Sequence, residues 1–361
     1  MKTKTYKTLL LAFILGGWAA IPSFACTGVT FVAEDGSRIL ARTTDWAGAV
    51  LSTHYVIVPR GHQHVGLTPK GNNGLRFVSK YGYVAIAVEN EDFMIEGLNE
   101  KGLSAGLFFF PGFGHYLPYE ERYAAQSLSD MQLVGWILAN YSSVQEVIDN
   151  FDQIRVVGLS PEIQTVHWRI ADKSGRQVVL EIVDGKPHFF ENKLGVITNA
   201  PGFEWHQTNL SNYVNLSGGT VHNKHFGHGV SVDAIGAGSG LLGLPGDPTP
   251  ASRFVRAAFF STTAPRTQTG HETVLLSFHI LNSFDIPLGA ERTRIEMPKG
   301  LISATQCTTS ADLTNGKFYF RTCWNQEIRC IDLREIRFDK VKFQAHPLDK
   351  DRVQRIEYLK F

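Results

Sequence analysis

A cysteine nucleophile needs a base to take its proton and a cation to hold the thiolate, and one part of this sequence offers both. Cys26 stands where a secretory leader would be cut, and Arg42 and Asp45 follow in Ala41-Arg42-Thr43-Thr44-Asp45-Trp46. Cutting ahead of Cys26 would give that one residue a thiol and a free α-amine. Such an amine titrates near pH 7.7 to 8.0, so at neutral pH a useful fraction is uncharged and can accept the thiol proton. The strand that Cys26 begins and the strand that ends near Arg42 read as a hairpin, which returns Arg42 and Asp45 to the new terminus. An arginine there favours the thiolate, and an aspartate can hold the amine by a hydrogen bond. Plainer readings exist: Cys26 as a buried core thiol or a lipidated cysteine, and Arg42 with Asp45 as a surface ion pair.

The expected cut rests on residues 1–25. Lys2, Lys4 and Lys7 make a basic start, residues 9–20 form an apolar run too short to span a bilayer, and Ser23 and Ala25 place small residues at −3 and −1. Residues 1–25 are therefore expected to be a cleaved signal peptide, and residues 26–361 a single domain of 361 − 25 = 336 residues, secreted or periplasmic. Formal charge is 35 − 34 = +1, which becomes 32 − 34 = −2 without the three leader lysines, so nucleic acid is not an expected partner. No later stretch is long and apolar enough to hold the mature chain in a membrane. With 43% hydrophobic and 19% charged residues the composition is that of a globular protein. In an oxidising compartment two of Cys307, Cys323 and Cys330 could pair; which two is left open.

Pattern then supplies the elements. Residues 28–33, 38–42, 55–59, 83–88 and 102–110 read as strands of a first sheet. The period turns helical over 123–150, where Ser143 and Glu146 form a capping-box pattern. Residues 166–171, 178–183, 188–191 and 196–198 read as a second sheet, a helix is expected over 253–260, and strands return over 317–333. The expected class is α+β, in layers, without repeat or linker.

Five blocks carry a resemblance. Cys26-Thr27-Gly28, Ala41-Arg42 with Asp45-Trp46, Leu98-Asn99-Glu100-Lys101-Gly102-Leu103, Thr198-Asn199-Ala200-Pro201, and Leu244-Pro245-Gly246-Asp247 leading to Ser252-Arg253-Phe254-Val255-Arg256 occur in the order of the choloylglycine hydrolases. The chain resembles that family, which includes bile salt hydrolases and penicillin V acylases, through its whole mature length. The resemblance implies a four-layer αββα sandwich of antiparallel sheets, the N-terminal nucleophile hydrolase fold, and hydrolysis of linear, non-peptide N-acyl amides without metal or organic cofactor. It implies Cys26 as nucleophile and base carrier, Arg42 beside the thiolate, Asp45 on the amine, Asn199 and the backbone N–H of Phe109 as the oxyanion hole, and Arg253 as an organiser of the site.

Phe109 stands where bile salt hydrolases carry asparagine and penicillin V acylases tyrosine. Phe108, Phe109 and Phe110, with Trp46, are expected to offer an apolar wall to the acyl group. Residues 201–210 and 243–247 look closer to the penicillin V acylase branch, which is the main expectation, with conjugated bile salts or N-acyl-homoserine lactones as alternatives. An exported binding protein without turnover is the alternative from another class. The resemblance also implies a homotetramer, because the interval between Asn199 and Arg253 keeps the long excursion that wraps a neighbouring subunit in similar family members. His222, His225 and His228 within it lack an acidic companion, and turns are expected there rather than a metal site. Gly236, Gly238, Gly240 and Gly243 lack the ending of a phosphate loop and also read as turns.

Overall fold

A computed structural model describes residues 24–160, 165–291 and 298–361, so all but the last two residues of the expected leader lie outside it. Its two large sheets are built from β1 (Phe24–Val32), β2 (Arg38–Trp46), β3 (Thr53–Val58), β4 (Tyr83–Val88), β5 (Met94–Asn99), β6 (Leu103–Phe109) and β7 (Val166–Asp172). They are completed by β8 (Gln177–Val183), β9 (Lys186–Glu191), β10 (Thr305–Asp312), β11 (Lys317–Thr322), β12 (Arg329–Asp332) and β13 (Gln344–Pro347). The helices are α1 (Leu133–Asn140), α2 (Val144–Asn150), α3 (Phe203–Asn209), α4 (Pro250–Thr263) and α5 (Gly270–Leu281).

The five-stranded sheet runs β1-β2-β10-β11-β12 and the eight-stranded sheet β9-β8-β7-β6-β5-β4-β3-β13, every pair antiparallel. Helix α1 packs on β5 and β6, α4 on β1, and α5 on β2 and β10, while β1 faces β6 across the middle. This is the expected αββα order of layers. Covering both faces is why β4, Tyr-Val-Ala-Ile-Ala-Val, is buried at every position and shows no alternation.

The division of strands between the sheets differs from expectation. The early strands divide: β1 and β2 pair with β10 from the far end of the chain, while β3 to β6 join β7 to β9. Local pattern identifies a strand but does not choose its partner. The central strand β10 escaped notice because Thr-Gln-Cys-Thr-Thr-Ser-Ala-Asp reads as polar, yet it is buried throughout, its β-branched threonines filling the pleat. Helix α5, also unforeseen, carries a full capping box between Thr269 and Glu272. The helical stretch expected over 123–150 starts as 3-10 turns, Glu121–Gln126 and Asp130–Gln132, on either side of Ser127–Ser129, which pairs in parallel with Arg155–Val157, and becomes α-helix at Leu133. At Ser143 the cap is split: its hydroxyl accepts from Glu146 N–H at 3.2 Å, but the Glu146 carboxylate turns to Ser142 N–H at 2.6 Å.

Two of the five sequence blocks are explained here. Asn99 Oδ1 accepts from Lys101 and Leu103 N–H, both at 3.0 Å, and its Nδ2 donates to Leu138 and Tyr141 carbonyls, so it closes the β5–β6 turn onto α1. Gly102 takes φ 84° in that turn. Asp247 ties down the turn ahead of α4 by accepting from Thr249 N–H and from the Thr249 and Ser252 hydroxyls, which hold its carboxyl down at about 2. Pro250 then opens the helix at its first turn.

Candidate active site

Antiparallel register sets Cys26 opposite Thr44 and Gly28 opposite Arg42, so Cys26 and Arg42 project from one face of the β1–β2 hairpin, into the layer between the sheets. Arg42 Nη2 lies 2.9 Å from Cys26 Sγ. Three more guanidinium protons go to main-chain carbonyls: Nε to Thr43 at 3.2 Å, and Nη1 to Ile95 at 2.9 Å and Leu107 at 2.6 Å. With all three nitrogens engaged, this buried cation is fixed in direction as well as place. In the uncut chain burial pushes the Cys26 thiol up, against the pull of Arg42.

A second ladder brings Asn199 to the same point. Gly28 and Ile197 exchange backbone bonds at 2.8 and 3.0 Å, a single bridge where a strand over 196–198 was expected. Two residues on, Asn199 Oδ1 accepts from Cys26 N at 2.8 Å and from Arg253 Nη2 at 2.8 Å, while Nδ2 donates to the Phe109 carbonyl at 2.9 Å. Two donors on one side and a carbonyl on the other leave the amide a single orientation. Arg253, on α4, also donates from Nη1 to the Cys26 carbonyl and the Thr27 hydroxyl, and from Nε to Pro248 O at 2.8 Å. Phe109 faces Val166 as the last pair of the β6–β7 ladder, and its carbonyl turns to Asn199, with its N–H on the same strand edge.

Asp45 stands opposite Ala25 rather than Cys26 and projects from the helix-covered face. It accepts from the Thr305 hydroxyl at 2.5 Å and the Thr43 hydroxyl at 3.0 Å. Burial lifts its carboxyl to about 7, against the attraction of Arg253. An ammonium exposed at Cys26 would add a cation and favour the carboxylate. Ala25 itself is buried in a small apolar niche with Ala47, Ile286 and Ala304.

Residues the sequence did not single out hold Asn199 from behind. His206, on α3, bonds through Nε2 to the Asn199 carbonyl at 2.8 Å and stacks on Phe254, ring centroids 4.7 Å apart. Burial lowers its pKa to about 4, so the ring is neutral and Nε2 is the donor. His167 spans Glu181 Oε1 at 3.2 Å and the Thr198 carbonyl at 3.1 Å, and Glu181 accepts from Phe203 N–H at 2.8 Å. His167 within a strand pattern was the available signal; His206 lies in a mostly polar helix that marks nothing, and the partners of both come from distant elements.

The apolar wall is corrected by strand alternation. Phe108 and Phe110 point between the sheets, Phe108 against Arg42 at 4.2 Å and Phe110 stacked on His167 at 4.5 Å, whereas the Phe109 side chain lies in the larger core with Val166 and α1 residues. The three rings therefore do not share a surface. Trp46 is buried two positions beyond Thr44 on the Cys26 side of β2. All four cysteines are free thiols, and burial pushes Cys307 up to about 11 and Cys323 to about 12. His225 and His228 lie on or beside the exposed hairpin Lys224–Gly227 and Val230–Val232, with His222 just ahead of it. No group of metal-ligating side chains occurs among the described residues.

A buried thiol with a fixed arginine on it, an oriented amide at its nitrogen and a second arginine behind both can support acyl transfer through a thioester. Residues 26–344 match the sequence profile of the linear amide C–N hydrolases, choloylglycine hydrolase family. The chain belongs to the choloylglycine hydrolase family. It is 31% identical to a bile salt hydrolase/transferase of Clostridium perfringens over 90% of this chain and 97% of that protein. It is 26% identical to a penicillin V acylase of Pectobacterium atrosepticum over 94% and 88%. A solved conjugated bile acid hydrolase from Clostridium perfringens superposes with TM-score 0.80 at 30% identity, over 93% of this chain and 100% of that one. This choloylglycine hydrolase family member is thus a hydrolase of carbon–nitrogen bonds in linear amides, with the antiparallel N-terminal nucleophile fold, and the reading as a binding protein without turnover gives way.

Proposed function

We propose that the chain is exported, cut after Ala25, and acts from Cys26 on N-acyl amides. The observation that carries this reading is the convergence on one residue: Arg42 on its sulfur, Asn199 on its nitrogen and Arg253 on its carbonyl. The family match also begins at Cys26. The α-amine takes the thiol proton and the thiolate attacks the amide carbonyl. Asn199 Nδ2, through its second proton, and the Phe109 N–H hold the oxyanion. The ammonium returns its proton to the leaving nitrogen, the C–N bond breaks, and a thioester remains on Cys26. Water, deprotonated by the same amine, then releases the acid. Arg42 balances the thiolate, Asp45 holds the ammonium, and Arg253 keeps Cys26 and Asn199 in register.

Conjugated bile salts are the first substrate class to test, supported by the higher identity to the bile salt relatives than to the penicillin V acylase. Penicillin V is the second, favoured by residues 201–210 and 243–247. Mass spectrometry of products from glycine- and taurine-conjugated bile acids, penicillin V and acyl-homoserine lactones will show Cys26-dependent release from at least one class and none with Cys26→Ser. Equal release by both proteins would overturn the reading.

We also propose that the chain forms a homotetramer through the excursion between α3 and α4. Its support is a run of exposed apolar side chains, among them Val214, Phe226, Val230, Ile235 and Leu242. Sedimentation will give a tetramer for the mature protein and smaller species for Phe226→Asp with Val230→Asp; a wild-type monomer would exclude it.

A further inference from the structure

Behind Arg42 lies a layer of buried charge to which the reaction steps assign no part. Arg169, on β7, donates from Nη2 to Glu96 Oε1 at 3.1 Å; Glu96, on β5, sets Oε2 3.6 Å from Arg42 Nη1; and Arg42 reaches Cys26. Ser104 also donates to Glu96 Oε1, at 3.3 Å. All three charged side chains are buried to within 2% of completely. The Phe108 ring packs against both guanidinium groups, 4.2 Å from Arg42 Cζ and 5.6 Å from Arg169 Cζ.

Two glycines in strand interiors make room for this layer. A Cβ on Gly106 would stand 2.1 Å from Glu96 Oε2, and one on Gly28 would stand 2.9 Å from Phe108 Cζ and 3.0 Å from Arg169 Nη1. Glycine weakens a strand interior and marks close approach. The Gly28 of the Cys-Thr-Gly block is therefore explained by what lies opposite it rather than by a turn.

We propose that the Arg169–Glu96 pair sets the net charge that the Cys26 sulfur meets through Arg42, as positioning residues that touch no substrate. The sign follows from counting. Arg42 and Arg169 with Glu96 leave one net positive charge, which the thiolate neutralises. Removing the charge of Glu96 leaves two and favours the thiolate further; removing that of Arg169 leaves none and favours the thiol. The other charged or titratable groups around Cys26 are Asp45 on β2, the Cys307 thiol on β10, Arg253 on α4, Glu291, and the α-amine itself. His167 and His206 stand behind Asn199. None of these is altered by the substitutions below, so they form a constant background.

The inference rests on Cys26 being the nucleophile, and its test is made without substrate so that the two can fail separately. The rate of Cys26 alkylation by iodoacetamide is followed against pH in the mature protein, by peptide mass, with Cys307, Cys323 and Cys330 in the same digest as controls. The midpoint belongs to the coupled thiol and amine. Glu96→Gln is expected to move it down by about 1 pH unit and Arg169→Gln up by about as much, with Arg169→Lys close to the parent and the double Gln variant restored toward it. Arg169 also donates to Val29 and Ala41 carbonyls at 3.5 and 3.3 Å, a structural tie between the sheets that a glutamine weakens. A purely structural role would move both single variants the same way, or neither, and either result would overturn the proposal. If Arg169→Gln does not fold, the downward shift in Glu96→Gln with an unchanged Arg169→Lys decides it. A Cys26→Ser protein that still turns over would refute the nucleophile and leave the charge measurement intact.

Discussion

Asn199→Ala will lower kcat on the best N-acyl amide by about 10²- to 10³-fold, the usual loss for one oxyanion-hole donor, with little change in KM. The alanine also removes the acceptor shared by Cys26 N and Arg253 Nη2, so a structural loss has to be separated from a chemical one. Asn199→Asp does that. An aspartate keeps an acceptor for both donors, loses the N–H groups, and adds a negative charge facing the Phe109 carbonyl, so it can only deepen a loss of oxyanion stabilisation. If donation to the oxyanion is what Asn199 supplies, the aspartate variant falls at least as far as the alanine one. An Asn199→Asp protein that kept most of the parent rate would reassign Asn199 to holding Cys26 and Arg253 in place. Single-turnover kinetics on proteins with unchanged melting curves will distinguish these results.

Much of the site is legible in the amino-acid sequence because its residues lie in short, chemically marked blocks. Cys26, Arg42, Asn199 and Arg253 meet in space, and local structure explains the meeting: a β1–β2 hairpin for the first two, a single backbone bridge for the third, a helix opened by Pro250 for the fourth. What could not be read depends on pairings far apart in the chain. Thr305, which holds Asp45, comes from a polar-looking strand whose central position only the assembled sheet reveals. Glu96 and Arg169 sit in strands from which a charge is normally excluded, and each is tolerated because the other, with Arg42, lies opposite. The phenylalanine run misled for a simpler reason, since three successive residues in a strand cannot face one ligand.

With its own amine as the proposed base for Cys26, blocking that amine is expected to cause the larger of the two losses. A protein that retains Ala25 has a peptide amide at Cys26, whose nitrogen lone pair is delocalised into the carbonyl and does not take the thiol proton. In the uncut chain Ala25 is already accommodated among Ala47, Ile286 and Ala304, 1% exposed, so the extra residue does not disturb the fold. Arg42, Asn199 and Arg253 keep their contacts to Cys26 in that form. The measurement to make is kcat/KM of the chain beginning at Cys26 against the same chain beginning at Ala25, each confirmed by intact mass. Loss of general-base catalysis predicts a fall of roughly 10²- to 10⁴-fold with Ala25 in place, whereas equal rates from the two would show that some other group takes the proton.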